Sequence, residues 1–399
     1  MEESQVPIGQ RVRSWRRYRG LSLAEVAGLA GISVGYLSMI ERSQRPLDKL
    51  SKRAAIADAL SISVADLSGL PHPPTDAAQK RAHATVARVR LALLDAPSLT
   101  ESGRSMAEAE DAVLAVERLR DRGEYDVIGE RVPDLVADLA RLAAEGERDA
   151  HRLAVVLTGS ASTMLRNLGY LDLALIAAER SRAAAEQYGD PVLIAASAFF
   201  TGKALIPAGA LTTAEQSQTA AADSIAALRG DDDRARQVYA ALHLNAAWAC
   251  SIARRADDAY AHLDLAADVA STVRTPGFAE ALLGGGVSTA DIEICRTSLA
   301  VELCDDDRAL RAASDVDLST VDSRARRATY YADLGRALSH DKRRDREAFL
   351  ALRRAEELTP QRVRASTSIK EAVRQLRSRT RRSGVGRELE LMATRLRVD

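Results

Sequence analysis

The chain of 399 residues is short of several residue types, and each shortage excludes something. Three cysteines occur, Cys250, Cys295 and Cys304, an odd number without close spacing. Neither a disulfide scaffold nor a cysteine metal centre is therefore expected. The six histidines form no pair at i, i+4, so no metal site is expected from them either. Aromatic residues make up 4 %, and β-branched residues do not gather into alternating runs, which leaves little from which to build sheets. No stretch approaches about 18 uninterrupted apolar residues, so no membrane span is expected. The opening Met1-Glu2-Glu3-Ser4-Gln5 lacks the basic and apolar regions of a signal peptide, and the expected location is cytoplasmic. Net charge is missing too: 56 basic and 56 acidic side chains cancel. Taken whole, that balance argues against a partner such as nucleic acid.

What is present points to helices. Hydrophobic residues are 46 % and charged residues 28 %, the composition of a folded globular chain. Alanine is abundant, and helix-period patterns run nearly the whole length, so the expected fold class is all-α. Of the basic residues only six are lysine (49, 52, 80, 203, 342 and 370). A GC-rich genome explains that bias more simply than a functional need for arginine. The charges are also segregated. Residues 1–70 carry 10 basic and 7 acidic groups, residues 71–360 carry 35 and 45, and residues 361–399 carry 11 and 4. The neutral total thus conceals a basic head, an acidic body and a basic tail, the last suited to touching DNA or clamping onto the acidic body.

The head holds short helical patterns. Ile8 to Arg19 reads as a first helix closed by Gly20. Ser22 and Glu25 stand at capping-box spacing before Leu23–Leu29. Ala30-Gly31-Ile32 forms a tight turn in which Gly31 takes a positive φ. Ser33 then caps a third helix through Tyr36, Leu37, Ile40 and Glu41. This stretch, Leu21 to Arg42, resembles the Cro/C1-type (XRE) helix-turn-helix family, and Leu50–Leu60 and Val64–Leu67 look like the family's fourth and fifth helices. The resemblance implies a five-helix DNA-binding domain. Its recognition helix would turn Ser33, Val34, Gly35, Tyr36 and Ser38 toward DNA, with Leu37 and Ile40 behind, and Arg42 and Arg45 at its exit would meet phosphate or guanine. Leu23 stands where the family usually has a glutamine that contacts phosphate, so one backbone contact is absent. A helix-turn-helix kept only for protein contacts is the competing reading.

Gly69-Leu70-Pro71-His72-Pro73-Pro74 breaks the chain. The expected domains are 1–70, a linker at 71–80 and a helical repeat region at 81–399. Breakers recur about every 20 residues between amphipathic segments, the pattern of stacked helix hairpins. Gly123–Asp126 turns an early hairpin. The best unit, Ala348 to Pro360, resembles tetratricopeptide repeats, and similar second helices begin near Ala174, Ala214, Ala259 and Ala309. The resemblance implies a superhelix with a concave wall. Laid over the chain, its register puts Thr163, Arg166, Asn167, Phe200, Lys203, Asn245, Trp248, Asp291, Ser298, Asp333 and Arg336 on that wall. Asn167 and Asn245 are the only asparagines in the sequence. They serve either a ligand backbone or interhelix hydrogen bonds, and Trp248 is either a ligand platform or core.

A Cro/C1-type head joined to such repeats resembles the RRNPP group of peptide-responsive regulators, and still more the actinobacterial regulators with this layout, whose tail looks like Val373–Arg377 and Arg387–Val398. The implied protein is a homodimer that binds double-stranded DNA at a palindromic operator. Its repeats bind a signalling peptide or small-molecule effector through Arg166, Asn167, Phe200, Lys203, Asn245, Trp248, Asp333 and Arg336. The alternative is a repeat adaptor for a protein partner, with DNA binding secondary. No cofactor, metal or membrane partner is expected. An enzyme has little support: Thr201-Gly202-Lys203 lacks the upstream glycine of a phosphate loop, and Gly284-Gly285-Gly286 reads as a turn between repeats. The acidic runs at 231–233 and 305–307 read as solvated helix–helix turns.

Overall fold

The computed structural model describes residues 6–94, 103–380 and 386–398, so the opening Met1–Gln5 segment lies outside the described residues. Those residues form helices joined by short turns, with no strand among them. The head contains α1 (Ile8–Tyr18), α2 (Leu23–Leu29), α3 (Val34–Glu41), α4 (Leu50–Ala59) and α5 (Val64–Ser68). Local chemistry sets these bounds. Ser22 Oγ accepts from the Glu25 amide while Glu25 Oε2 accepts from the Ser22 amide, closing the capping box of α2. Ser33 Oγ accepts from the Tyr36 amide at the start of α3. Gly31, at φ 62°, makes the turn between α2 and α3 that a side chain would strain. Val12, Val26, Leu37, Ile40, Ile56 and Leu67 fill the head core.

Helix α6 (Ala77–Leu94) begins within the segment read as linker. It packs on the hairpin of α7 (Met106–Arg122) and α8 (Tyr125–Ala144), which turns at Gly123. Two-helix units follow: α9 (Asp149–Leu168) with α10 (Leu171–Tyr188), α11 (Pro191–Ala208) with α12 (Leu211–Ser224), and α13 (Asp233–Ile252) with α14 (Ala256–Ala270). A short α15 (Phe278–Leu283) interrupts the series. Then come α16 (Thr289–Leu303) with α17 (Asp306–Ser314), and α18 (Arg324–Leu338) with α19 (Asp345–Leu358). The tail is α20 (Pro360–Ala365), α21 (Thr367–Thr380) and α22 (Gly386–Leu396). Ala174, Ala214, Ala259, Ala309 and Ala348 each lie on the second helix of a unit and are fully buried. Small residues there let paired helices approach. At Gly335 the approach of α18 to α19 is such that a Cβ would stand 2.7 Å from Leu352 Cγ. Helix α11 has the length and mean hydropathy of a membrane span, yet it is half buried among α9, α10, α12 and α13.

The coil of hairpins closes on itself. Asp121, near the end of α7, accepts from Ser323 Oγ at 2.5 Å and from the Arg324 and Ala325 amides at 3.0 and 3.1 Å, so an early helix caps α18. Gln361 of α20 donates to Asp126 and accepts from the Tyr125 amide at the start of α8. The basic tail clamps onto its own body: Arg395 and Arg364 both pair with the buried Glu356 of α19, at 2.7 and 3.0 Å, and Arg379 pairs with Asp345.

In the head, a Cβ on Gly9 of α1 would collide with the Ile40 carbonyl oxygen of α3. The obstacle is backbone and cannot rotate away. Gly9→Ala is therefore expected to lower head stability by about 2 kcal/mol, read from urea unfolding of the full chain. Unchanged unfolding would show that α1 and α3 do not cross this closely.

Candidate functional site

The surface expected to face DNA is built on α3. Leu37 and Ile40 bury its back, leaving Ser33, Val34, Gly35, Arg42 and Arg45 exposed and Tyr36 and Ser38 half-buried. The helix is locked to α1 by a fork of hydrogen bonds: Arg16 Nε and Nη2 donate to the two carboxylate oxygens of Glu41 at 2.6 and 2.9 Å. Arg16 also donates to the Leu21 carbonyl, which ties the turn into the same clamp. Around Gly35 there is open space, so backbone of α3 can come close to another surface. Tyr36 is drawn sideways, since Lys52 of α4 donates to its hydroxyl at 2.8 Å and lies 4.5 Å from its ring centre. Leu23 packs against the head core.

The head is docked, not tethered. Glu302 of α16 accepts from the Ser51 amide at 3.1 Å, and its backbone carbonyl accepts from Ser51 Oγ at 2.9 Å. Arg336 of α18 donates to Glu302 at 2.6 Å, to Asp333 at 2.9 Å and to the Asp48 carbonyl at 3.2 Å. Arg53 donates to Ser368 of α21, and Glu371 accepts from the Leu47 amide. Leu50 and Ala54 pack with Trp248 in an apolar patch on α11–α13. Outside this patch His340 bridges Asp48 at 3.3 Å and Asp306 at 2.9 Å, with Lys49 beside Asp306. The acidic run at 305–307, expected to be a solvated turn, thus contributes Asp306 to the seam.

Inside the closed coil is a chamber of about 770 Å³. First helices of the units supply part of its wall: Thr163, Arg166, Asn167, Lys203, Asn245, Trp248, Ser298, Asp333 and Arg336 all line it. Two expected wall residues lie elsewhere. Phe200 is buried in the core against Gly159, and its neighbour Phe199 faces the chamber instead. Asp291 pairs with Arg326 at 2.8 Å and caps α16 with Ser288. The asparagines divide between roles. Asn167 donates to the Tyr125 hydroxyl at 2.6 Å. Asn245 Nδ2 joins helices by donating to the Phe199 carbonyl and to Gln218. Asp333 and Arg336 face the chamber while holding each other, and Arg336 also holds the head.

Several chamber residues were not expected. Leu50 and Arg53 of the head reach it, as do Gly284–Gly286 and Arg362. Arg120 fixes α15 by donating to the Ala281 and Leu282 carbonyls. Only the closure of the coil brings these distant segments together, and no short-range pattern encodes that. The lining carries ten cationic and six carboxylate side chains, an excess of positive charge within an acidic body. Burial, then the nearby Arg166, pushes the Lys203 ammonium down to about 7. Burial, then Arg362, pushes Arg166 down to about 10. Elsewhere Glu215, Cys250 and His262 bring ligand-type atoms within 4.8 Å of one another, from three different helices. Arg255 donates to both Glu215 and Cys250, so its cation occupies that cluster.

The seam titrates. Burial opposes the charged form of His340, but its hydrogen bonds to Asp306 and Asp48 outweigh this and raise its pKa above 6.5. Burial likewise opposes ionisation of Asp48 and Asp306. The bond and charge of His340 outweigh it and hold both below the ordinary 3.8. A raised histidine stabilises docking below 6.5 and loses that contribution as pH rises through its folded value. The lowered aspartates lose theirs as pH falls below 3.8. Docking is therefore expected to be firmest between those limits. His340→Gln should therefore lower the thermal unfolding temperature more at pH 6 than at pH 9. Parallel curves for the two proteins would contradict the assignment.

Residues 7–70 match the family model described as a helix-turn-helix domain. Over 65 residues, 16 % of this chain, the sequence is 35 % identical to the HTH-type transcriptional regulator SinR of Bacillus subtilis, covering 59 % of that protein. Over 57 residues, 14 % of this chain, it is 37 % identical to SinR of Bacillus licheniformis, covering 51 %. The chain thus spans a little over half the length of these curated relatives. No solved structure matches the chain. The head, with α2, the Gly31 turn and α3 arranged as described, is a helix-turn-helix domain.

Proposed function

We propose that this protein is a sequence-specific, DNA-binding transcription regulator of the XRE type. In this reading it acts as a homodimer on a palindromic operator, and its tetratricopeptide-like body binds a peptide or small-molecule effector that modulates operator binding. The observation that carries the reading is the start of α3, with Ser33, Val34 and Gly35 exposed on a helix whose back is fixed by Leu37, Ile40 and the Arg16–Glu41 clamp. Arg42 and Arg45, exposed at the exit, suit phosphate. The curated relatives are named as transcriptional regulators. Two heads on half-sites one turn apart would supply the affinity that one small domain lacks. The chamber supports the effector role, because its wall includes Arg53 and Arg336, which also hold the head.

The test is a fluorescence-anisotropy titration of the full chain with promoter fragments, its own included, against random DNA. A preferred fragment is expected. Tyr36→Ala and Ser38→Ala should reduce that preference, whereas Arg42→Ala should weaken all DNA binding and lower the salt slope by about one. Equal affinity for every fragment would overturn the reading.

A further inference from the structure

Three cations in the chamber wall lack anionic partners. The side chains of Arg166 of α9 and Lys203 of α11 form no hydrogen bond or ion pair with any described residue. Lys203 Nζ rests instead 5.4 Å from the ring centre of Phe199. Arg362 of α20 is held by the Ala325 carbonyl and Thr329 Oγ1, both at 3.0 Å, and meets no carboxylate at ion-pair distance. The three repel one another through the protein interior: Arg362 acts on Arg166, and both act on Lys203, which also faces Arg326 and the Cys295 thiol. Uncompensated charges inside a protein cost stability, and elsewhere in this chain interior cations such as Arg336 are matched by carboxylates. The chamber thus presents unmatched positive charge, with Phe199 and Trp248 in the same wall.

We infer that the chamber takes a phosphate-bearing small molecule, with its phosphate oxygens on Arg166, Lys203 and Arg362, and its uncharged part against Phe199 and Trp248. Two guanidinium forks and an ammonium suit several phosphate oxygens at once, and a single carboxylate would leave part of the charge unmatched. A volume of about 770 Å³ is in the range of small-molecule sites. The inference rests on the reading of the chamber as the effector site, but its test does not depend on DNA.

The experiment is calorimetric titration of the full chain with inorganic pyrophosphate, and separately with succinate. Pyrophosphate is expected to bind more tightly than succinate. Arg166→Met and Lys203→Met should each weaken it at least tenfold, and Lys203→Arg should retain it. Because the two methionine variants remove unmatched charge, their melting temperatures should hold or rise. Four results would overturn the inference: no pyrophosphate binding, binding that survives both methionine substitutions, tighter binding of succinate, or a clear loss of melting temperature in those variants. Operator affinity measured with and without pyrophosphate separates the two readings. If the anion binds as expected and DNA affinity stays constant, the anion site stands and the regulatory coupling fails.

Discussion

Arg336 is 4 % exposed and carries a full positive charge into the centre of the protein. A cation in that position requires matched acceptors on every side. Glu302, from α16, and Asp333, one turn earlier on α18, supply charge, and the Asp48 carbonyl from the head supplies a third contact. Glu302 in turn receives the Ser51 amide at the start of α4, so one side chain satisfies both a body arginine and a head helix. Removing any member leaves another buried and unpaired. The position of the head on the body follows from this requirement, and so does the register of α16 against α18.

The same network forms part of the chamber wall. Arg336 and Glu302 face the cavity on one side and the head on the other, Asp333 lines the cavity beside them, and Arg53 crosses the seam to line it directly. A ligand that changed the electrostatics of the chamber would act on the groups that dock the head. The distribution of charge fits this division. The body as a whole is acidic and its interior surface basic, while the tail spends its arginines on Glu356, Asp345 and Glu390. The overall neutrality of the chain is the sum of these unlike parts.

Much of this was legible in the sequence because it depends on short-range chemistry. Caps at Ser22 and Ser33, the turn at Gly31, and the alanines at 174, 214, 259, 309 and 348 act within one or two helices, and their spacing is the geometry. The wall residues followed from the repeat period. Phe200 shows the limit of that method. Phe199 and Phe200 are neighbours about 100° apart on α11, and the packing of Phe200 against Gly159 decides which one faces inward. The seam left no local trace. Asp48, Asp306 and His340 meet across nearly three hundred residues, each standing in a stretch that reads as an ordinary polar surface. Arg362 enters the chamber only because the tail folds back over the first helices.

The central claim is that the head is held by the Glu302–Arg336 network and is not a free domain on a linker. Hydrogen exchange at the Leu47 and Ser51 amides tests it most directly, since both donate to carboxylates of the body. In the wild type they should be protected. In Glu302→Gln, exchange at Ser51 should accelerate at least tenfold while the Ile40 amide, inside the head, keeps its rate. Equal rates at Ser51 in the two proteins would contradict the account.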